Sequence, residues 1–155
     1  MKKKGWVMYK MRQWSVRHSR FMEGLYDFVN PAILIALRGV TKVFGKRLDK
    51  PITAAEAGLK GLLFDCQMCG NCALSKTGMS CPMNCPKTLR NGPCGGVRAN
   101  GMCEVNPDMP CVWVAAWDGA SRMKKGSAIQ NIDHAVDHRD KGSSTWLKLA
   151  RGEIT

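Results

Sequence analysis

The chain has 155 residues, a length that suits one domain of ordinary size. At 45% hydrophobic and 23% charged residues it has a globular composition, which excludes a disordered or collagen-like chain. A net charge of +12 invites nucleic acid or an anionic surface as partner, but the charge is unevenly placed. Residues 1–50 carry twelve Lys or Arg against Glu23, Asp27 and Asp49, so nine of the surplus charges lie there and three in the rest. No secretory signal is expected, because Lys10, Arg12, Arg17 and Arg20 interrupt the segment after Lys2 and no small-residue cleavage site follows. The longest apolar run, Ala32 to Leu37, falls far short of the ~20 residues that span a bilayer. A cytoplasmic protein without membrane insertion is the expectation. In that reducing compartment clustered cysteines await metal rather than pair as disulfides.

Residues 1–14 read as a basic N-terminal arm with Trp6, Tyr9 and Trp14 interleaved. Such a pattern stacks on bases or, more commonly, docks on its own domain or another subunit. Residues 15–65 read as a helical scaffold. Ser15 is a plausible N-cap for a helix to about Val29, with Phe21, Met22, Leu25, Phe28 and Val29 as its apolar stripe. Asn30-Pro31 then suits the start of a second helix, buried through Ile33, Leu34, Leu37, Val40 and Phe44 and ended by Gly45. Two core helices packed as a hairpin fit better than a membrane-surface helix, whose basic face Glu23 and Asp27 would break. Thr53 and Glu56 have capping-box spacing for a short helix over roughly 54–63, which leads straight into Cys66.

Residues 66–111 are the unusual part. All eight cysteines lie in these 46 residues, with five of the seven prolines and no Phe, Trp or Tyr. The only branched aliphatics are Leu74, Leu89, Val97 and Val105. Such a segment cannot bury enough apolar surface to offset the entropy of ordering its backbone. Something else must hold it. The final stretch, 112–155, reads as C-terminal helices: Val112 to Lys125 with Val112, Trp113, Ala116 and Trp117 inside, another from Ser127 to about His138, and a last turn carrying Trp146, Leu147 and Leu149. His134 and His138 stand four apart, but among Asp133, Asp137 and Arg139 they read as a solvated face rather than ligands.

The cysteine spacing is Cys66-x2-Cys69-x2-Cys72, Cys81-x3-Cys85, then Cys94, Cys103 and Cys111. Three thiolates two residues apart can reach one cubane from a single loop, with a fourth from a distant Cys that commonly precedes Pro. Both Cys81 and Cys85 precede proline, which fixes φ and turns the chain away after the sulfur. Gly70, Gly92, Gly95 and Gly96 allow close backbone approach, so their amides are candidate donors to bound sulfur. Lys87, Arg90 and Arg98 would favour a more negative cluster. Two [4Fe-4S] clusters are the leading expectation; one cluster plus zinc, zinc alone, or disulfides remain alternatives. Cys66, Cys69 and Cys72 are expected to share one cluster, and Cys81, Cys85 and Cys94 the other.

The string FDCQMCGNCALSKTGMSCPMNCPKTLRNGPCGGVRANGMCEV, followed by Cys111-Val112-Trp113-Val114, resembles the methylenetetrahydrofolate reductase C-terminal family. Trp14-Ser15-Val16-Arg17-His18 and Ser143-Ser144-Thr145-Trp146-Leu147 are similar to the family's flanks, with Thr145 inserted. The resemblance implies the iron–sulfur small subunit of a two-subunit reductase, with Cys66, Cys69, Cys72, Cys81, Cys85, Cys94, Cys103 and Cys111 as cluster ligands. It implies a flavin-containing barrel subunit as partner, supplied by a ferredoxin-like donor. The chain is not fused to a barrel and its first fifty residues are unusually basic, so a corrinoid methyltransferase is an alternative partner. A zinc-stabilised basic adaptor is the rival class. Nucleic acid is disfavoured, since the aromatics avoid the cysteine block and no finger-like helix follows a C-x2-C pair. The expected fold is small and mainly α: short helices flanking a loop-rich, cysteine-ligated metal core with little β structure, one compact domain overall.

Overall fold

The computed structural model describes residues 2–154, and side chains from residue 9 onward. Met1 and the side chain of Trp6, both in the basic front segment, lie outside the described residues. Five α-helices follow in order: α1 (Lys2–Arg17), α2 (Ser19–Phe44), α3 (Asp49–Phe64), α4 (Val112–Arg122) and α5 (Thr145–Arg151). Short 3-10 turns occupy Pro82–Asn84, Gly126–Gln130 and His138–Asp140. The sole β pairing among the described residues is an isolated bridge between Met102 and Pro110. The protein is small and mainly α, with a long loop region between α3 and α4.

Helix boundaries differ from the sequence expectations in an instructive way. Ser15 does not cap a helix; it lies inside α1, fully buried, and its Oγ donates to the Leu63 carbonyl at 2.8 Å. Ser19 opens α2 and donates to the Gly119 carbonyl at 2.7 Å. Both hydroxyls serve packing between helices. Small polar residues let the backbones of α1 and α2 lie close to α3 and α4, each tied by a bond that needs no water. Asn30-Pro31 does not divide α2, which runs on through Pro31. Proline removes one backbone bond, yet Val29 and Ile33 on either side line one continuous apolar cleft, so tertiary burial overrides the local signal. The expected hairpin is also absent: α2 packs on α5 and α4, α1 packs on α3 and α4, and α2 and α3 stand apart. Between α2, α3 and α5 lies that open cleft, about 380 Å³ in volume.

Further corrections concern the other helices. α3 begins at Asp49 rather than near Thr53, so Glu56 is an interior residue, not part of a cap. α4 ends at Arg122, and Trp117 is exposed rather than on its inner face. No helix runs from Ser127 to His138; a 3-10 turn and extended chain replace it, so His134 and His138 do not share a helix face. The stripe Phe21, Leu25, Phe28 expected inside is exposed, as is Phe44; of that set only Met22 is buried. Gly45 does end α2, and α5 carries Trp146, Leu147 and Leu149 as expected.

The core forms two clusters. Met22, Phe64, Leu74, Met79, Cys81 and Met123 make one, against which Leu63, Cys72 and Met83 pack. Cys111, Trp113 and Ala116 make the other, with Val97 and Ile129. A close backbone crossing joins α4 to the loop region: Gly78, at φ +59, faces Gly119 so tightly that a Cβ on either would strike the other's backbone.

Glu56 is the most buried charged residue, 1% exposed. Its carboxylate accepts from Lys60 Nζ at 2.5 Å, from the Ser144 hydroxyl, and from the Trp146 amide at 3.3 Å. It therefore ties α3 to the start of α5. Removing one partner of a buried pair leaves the other charge uncompensated. Glu56→Ala should lower unfolding free energy by about 3–5 kcal/mol, read by thermal or urea denaturation under nitrogen. The double variant Glu56→Leu/Lys60→Met should recover most of that loss.

Candidate metal centre

The eight cysteines divide into two sets of four, each lining its own cavity. Cys66, Cys69, Cys72 and Cys81 line one, together with Lys60, Met68 and Arg90. Cys85, Cys94, Cys103 and Cys111 line the other, together with Leu89, Gly96 and Trp113. None of the eight is in a disulfide. Cys81 thus joins the first three cysteines, not Cys85 and Cys94 as the spacing suggested. The reason is local. Cys81 and Cys85 flank the 3-10 turn Pro82–Asn84 as its two caps, so one short turn sends consecutive thiols in opposite directions.

The first set hangs from the C-terminal end of α3. Asp65 leaves the helix in a left-handed conformation, φ 53, with its amide bonded to the Gly61 carbonyl at 3.0 Å. Met68 at φ 46 and Gly70 at φ 76 then curl the 66–72 loop. Asp65, Met68, Met79 and Thr88 are the described non-glycine residues at positive φ; the first three lie in the stretch that delivers these cysteines, and Thr88 follows Cys85. Residues held in that region cost of order 1–3 kcal/mol each and persist only where the surroundings over-determine them. The surroundings here are specific. Gly142 N–H donates to the Met68 carbonyl at 2.7 Å, Asn84 Nδ2 donates to the Phe64 carbonyl at 2.9 Å, and Ser80 Oγ donates to the Val112 carbonyl at 3.0 Å.

A helix C-terminus is an unfavourable neighbour for thiolates, and cations offset it. Arg90, 6% exposed, places Nη1 3.7 Å from Cys69 Sγ and 3.0 Å from the Asn71 carbonyl. Its Nη2 lies 3.8 Å from Asp133, which also pairs with Lys76 at 2.9 Å. The Nε and Nη2 atoms are buried without a hydrogen-bond partner. Lys60 stands on the opposite wall, paired with Glu56 and 5.0 Å above the Trp146 ring. Burial pulls its pKa down, but Cys72 and Glu56 pull harder and leave it above the usual lysine value. Burial pushes the Cys81 thiol up to about 12, with Cys66 and Cys72 adding to the rise. It also raises Cys66, against the Met68 amide that donates to Cys66 Sγ at 3.4 Å. Cys66 and Cys81, both raised by burial, need nearby cationic charge to be deprotonated.

The second set is framed differently. Cys111 is the N-cap of α4, so these thiols sit at the positive end of a helix dipole. Cys103 N–H donates to the Met109 carbonyl and Cys111 N–H to the Gly101 carbonyl, each at 2.9 Å, which closes the 101–111 loop. Trp113 forms the floor and donates Nε1–H to the Leu89 carbonyl at 3.1 Å. Lys87 pairs with Glu104 at the rim, and Arg98 reaches the Glu104 carbonyl at 3.4 Å.

The four glycines fall in different places. Gly96 lines the second cavity, where a Cβ would meet the Glu104 carboxylate. Gly92 lies against the Trp113 indole, Gly70 against Asp140 and Ser143, and Gly95 faces open space. The protein donors found at cysteine sulfur are instead the Met68 and Met83 amides and Arg90. Glu56, Lys60 and Asp133 went unread as neighbours of the cysteines, although Glu56 and Lys60 stand at ion-pair spacing on one helix. No group of three or more His, Cys, Asp or Glu among the described residues gathers closely enough to hold a single metal ion. Each cavity offers an all-cysteine donor set, the type that holds an iron–sulfur cluster or zinc.

Fold and sites together define a small, mainly α protein built around two four-cysteine pockets. A family model described as "Methylene-tetrahydrofolate reductase C terminal" matches residues 46–139, well over half of the chain, and the protein belongs to that family. Comparison with curated proteins and with solved structures gave no match. The match begins just after α2 and takes in α3, every cysteine and α4. No helix among the described residues is long and apolar enough to cross a membrane.

Trp113 is 3% exposed and supports the second pocket from below. Trp113→Ala should destabilise the protein by about 3–5 kcal/mol, whereas Trp113→Phe, which loses the bond to Leu89 and part of the ring but keeps an aromatic side chain there, should cost less, about 1–3 kcal/mol. Thermal unfolding midpoints of the two variants check the ratio.

Proposed function

We propose that this chain is an electron-transfer subunit of a methylenetetrahydrofolate reductase-type enzyme and carries two [4Fe-4S] clusters. Cys66, Cys69, Cys72 and Cys81 would hold one, and Cys85, Cys94, Cys103 and Cys111 the other. The single observation that carries this reading is the partition of eight thiols into two separate all-cysteine cavities inside a chain of this family. When bound, such groups take up and release one electron at a time, so they link a one-electron donor of the ferredoxin kind to a flavin on a separate barrel subunit.

The chain's own residues have defined parts in this reading. Arg90 and the Met68 amide direct positive charge at the first set's sulfur, and the start of α4 does so at the second. Such interactions favour the more negative, reduced state and raise its potential. Trp113, Leu89 and Val97 keep water from the second pocket. No side chain acts as acid, base or nucleophile.

Protein purified without oxygen should be brown and contain about eight iron and about eight sulfide per chain. A colourless, zinc-loaded preparation would remove the proposal. The partition is tested by pairing variants. Cys66→Ala/Cys81→Ala should retain about half the iron, since both serve one pocket, while Cys81→Ala/Cys85→Ala should lose nearly all of it. Arg90→Leu should leave the initial iron content unchanged but speed the loss of about half of it to a chelator, in line with the ~10–100-fold cost of losing a supporting contact.

A further inference from the structure

α2 carries an apolar face that no described residue covers. Phe21, Leu25, Phe28, Ile35 and Val43 are all exposed, Phe28 to 84%, Val43 to 75% and Ile35 to 69%. Ala32 and Gly39, also exposed, complete a series of steps of three or four residues. That spacing keeps a stripe on one side of a helix, here over roughly 33 Å. It adjoins the side of α2 that faces the interior, where Met22, Val29 and Ile33 line the cleft shared with α3 and α5, and Leu25 belongs to both.

Apart from Asp27, which is paired with Lys125, the charges beside the stripe are of one sign. By helical position Arg20, Arg38 and Lys42 lie along the edge turned away from the cleft, and all three are exposed. The two acids of α2 are committed elsewhere. Glu23 is buried and accepts from the Lys124 and Lys125 amides at 2.7 and 2.9 Å, and Asp27 pairs with Lys125 at 2.7 Å. We propose that this seam docks an amphipathic helix of a partner protein, one whose apolar stripe is bordered by acidic residues. This deepens the reading above and rests on it only for the partner's identity.

Three features select that occupant. A second copy laid antiparallel on the seam would set Arg20 beside the copy's Lys42, cation against cation, while Asp27, the acid on that edge, is already paired with Lys125; like charges across a helix pair oppose association. Ala32 and Gly39, one heptad apart, leave gaps between the large side chains, and knobs from a facing helix fill such holes, whereas a lipid surface has no use for them. The basic residues border one edge of the stripe only, while a surface-lying membrane helix presents cations along its whole polar face. α2 also precedes residues 46–139, so the seam belongs to the part of this chain outside the family match.

The test places a benzophenone amino acid in the full chain at Phe28 or Ile35, with Ile132, 87% exposed and remote in sequence, as control. After irradiation in the producing cells, the cross-linked peptides are identified by mass spectrometry. Probes at 28 and 35 should map to one helical segment of a different protein with Asp or Glu beside its apolar residues; the probe at 132 should not. The charge-reversed form Arg20→Glu/Arg38→Glu/Lys42→Glu should reduce the yield at 28 at least tenfold, as expected for electrostatic complementarity across an interface. Cross-links to another copy of this chain, to lipid, to a segment without acidic residues, or none at either position would overturn the proposal. A cross-link to an acidic helix of a protein that carries no flavin would uphold the seam and remove the reductase partner. Iron content, measured separately, decides the cluster reading without bearing on the seam.

Discussion

A run of 46 residues with four branched aliphatic side chains and no aromatic ring has to be held from outside. The rest of the fold is arranged to do this. α3 delivers the run at Cys66 and α4 takes it up at Cys111. Between those ends Asn84 is bonded to the end of α3, Ser80 to the first residue of α4, and Leu89 to the Trp113 indole. A pair of reciprocal bonds between Asn91 and Asp133, 2.8 Å each, fastens the run to the chain beyond α4. These ties satisfy buried polar groups but contribute little net stability apiece. The thiols are where the loop's own contribution must come from.

The two pockets solve one electrostatic problem by opposite means. The thiols at the end of α3 meet the negative pole of a helix, where a thiolate is disfavoured, and Arg90 and Lys60 are buried beside them. Cys111, at the start of α4, meets the positive pole, and among the described residues no buried cation lines that pocket. The cost of burying Lys60 is carried by Glu56, whose carboxylate is in turn satisfied by Ser144 and the Trp146 amide. One carboxylate therefore bridges Lys60, at the wall of the first pocket, and the start of α5.

Each pocket also touches its own apolar cluster, through Cys72 and Cys81 in one case and Cys111 in the other. Sulfur ligands rooted in packed side chains are held more firmly than ligands on free loops. The long front helix plays no part in either pocket. It packs on α4 and α5 and leaves an apolar stripe with Arg20, Arg38 and Lys42 exposed. An α2 of this kind makes sense in an assembly, with the cysteine pockets in one part of the chain and a grip for a neighbour in another.

Much of this was legible in the residues alone. The scarcity of apolar side chains marked residues 66–111 as a stretch that needs holding, and the strings around Cys66 and Cys111 pointed to the family that the comparison then gave. Those are properties of composition and short-range order, which survive without knowing how the chain folds. The helical character of the flanks and the stop at Gly45 were equally local. What folding alone decided was every choice that depends on distant neighbours. Ser15 looked like a cap and became a bond to Leu63; Asn30-Pro31 looked like a break and was carried through because the apolar cleft continues past it. Glu56 looked like the end of a capping box and became the anion that permits a buried lysine. Cys81 and Cys85 are four residues apart, too close for spacing to separate them, and a single 3-10 turn sends them to different pockets. Sequence determined which atoms were available to bind; only three-dimensional packing, which pairs residues by distance through space rather than along the chain, determined how they are grouped.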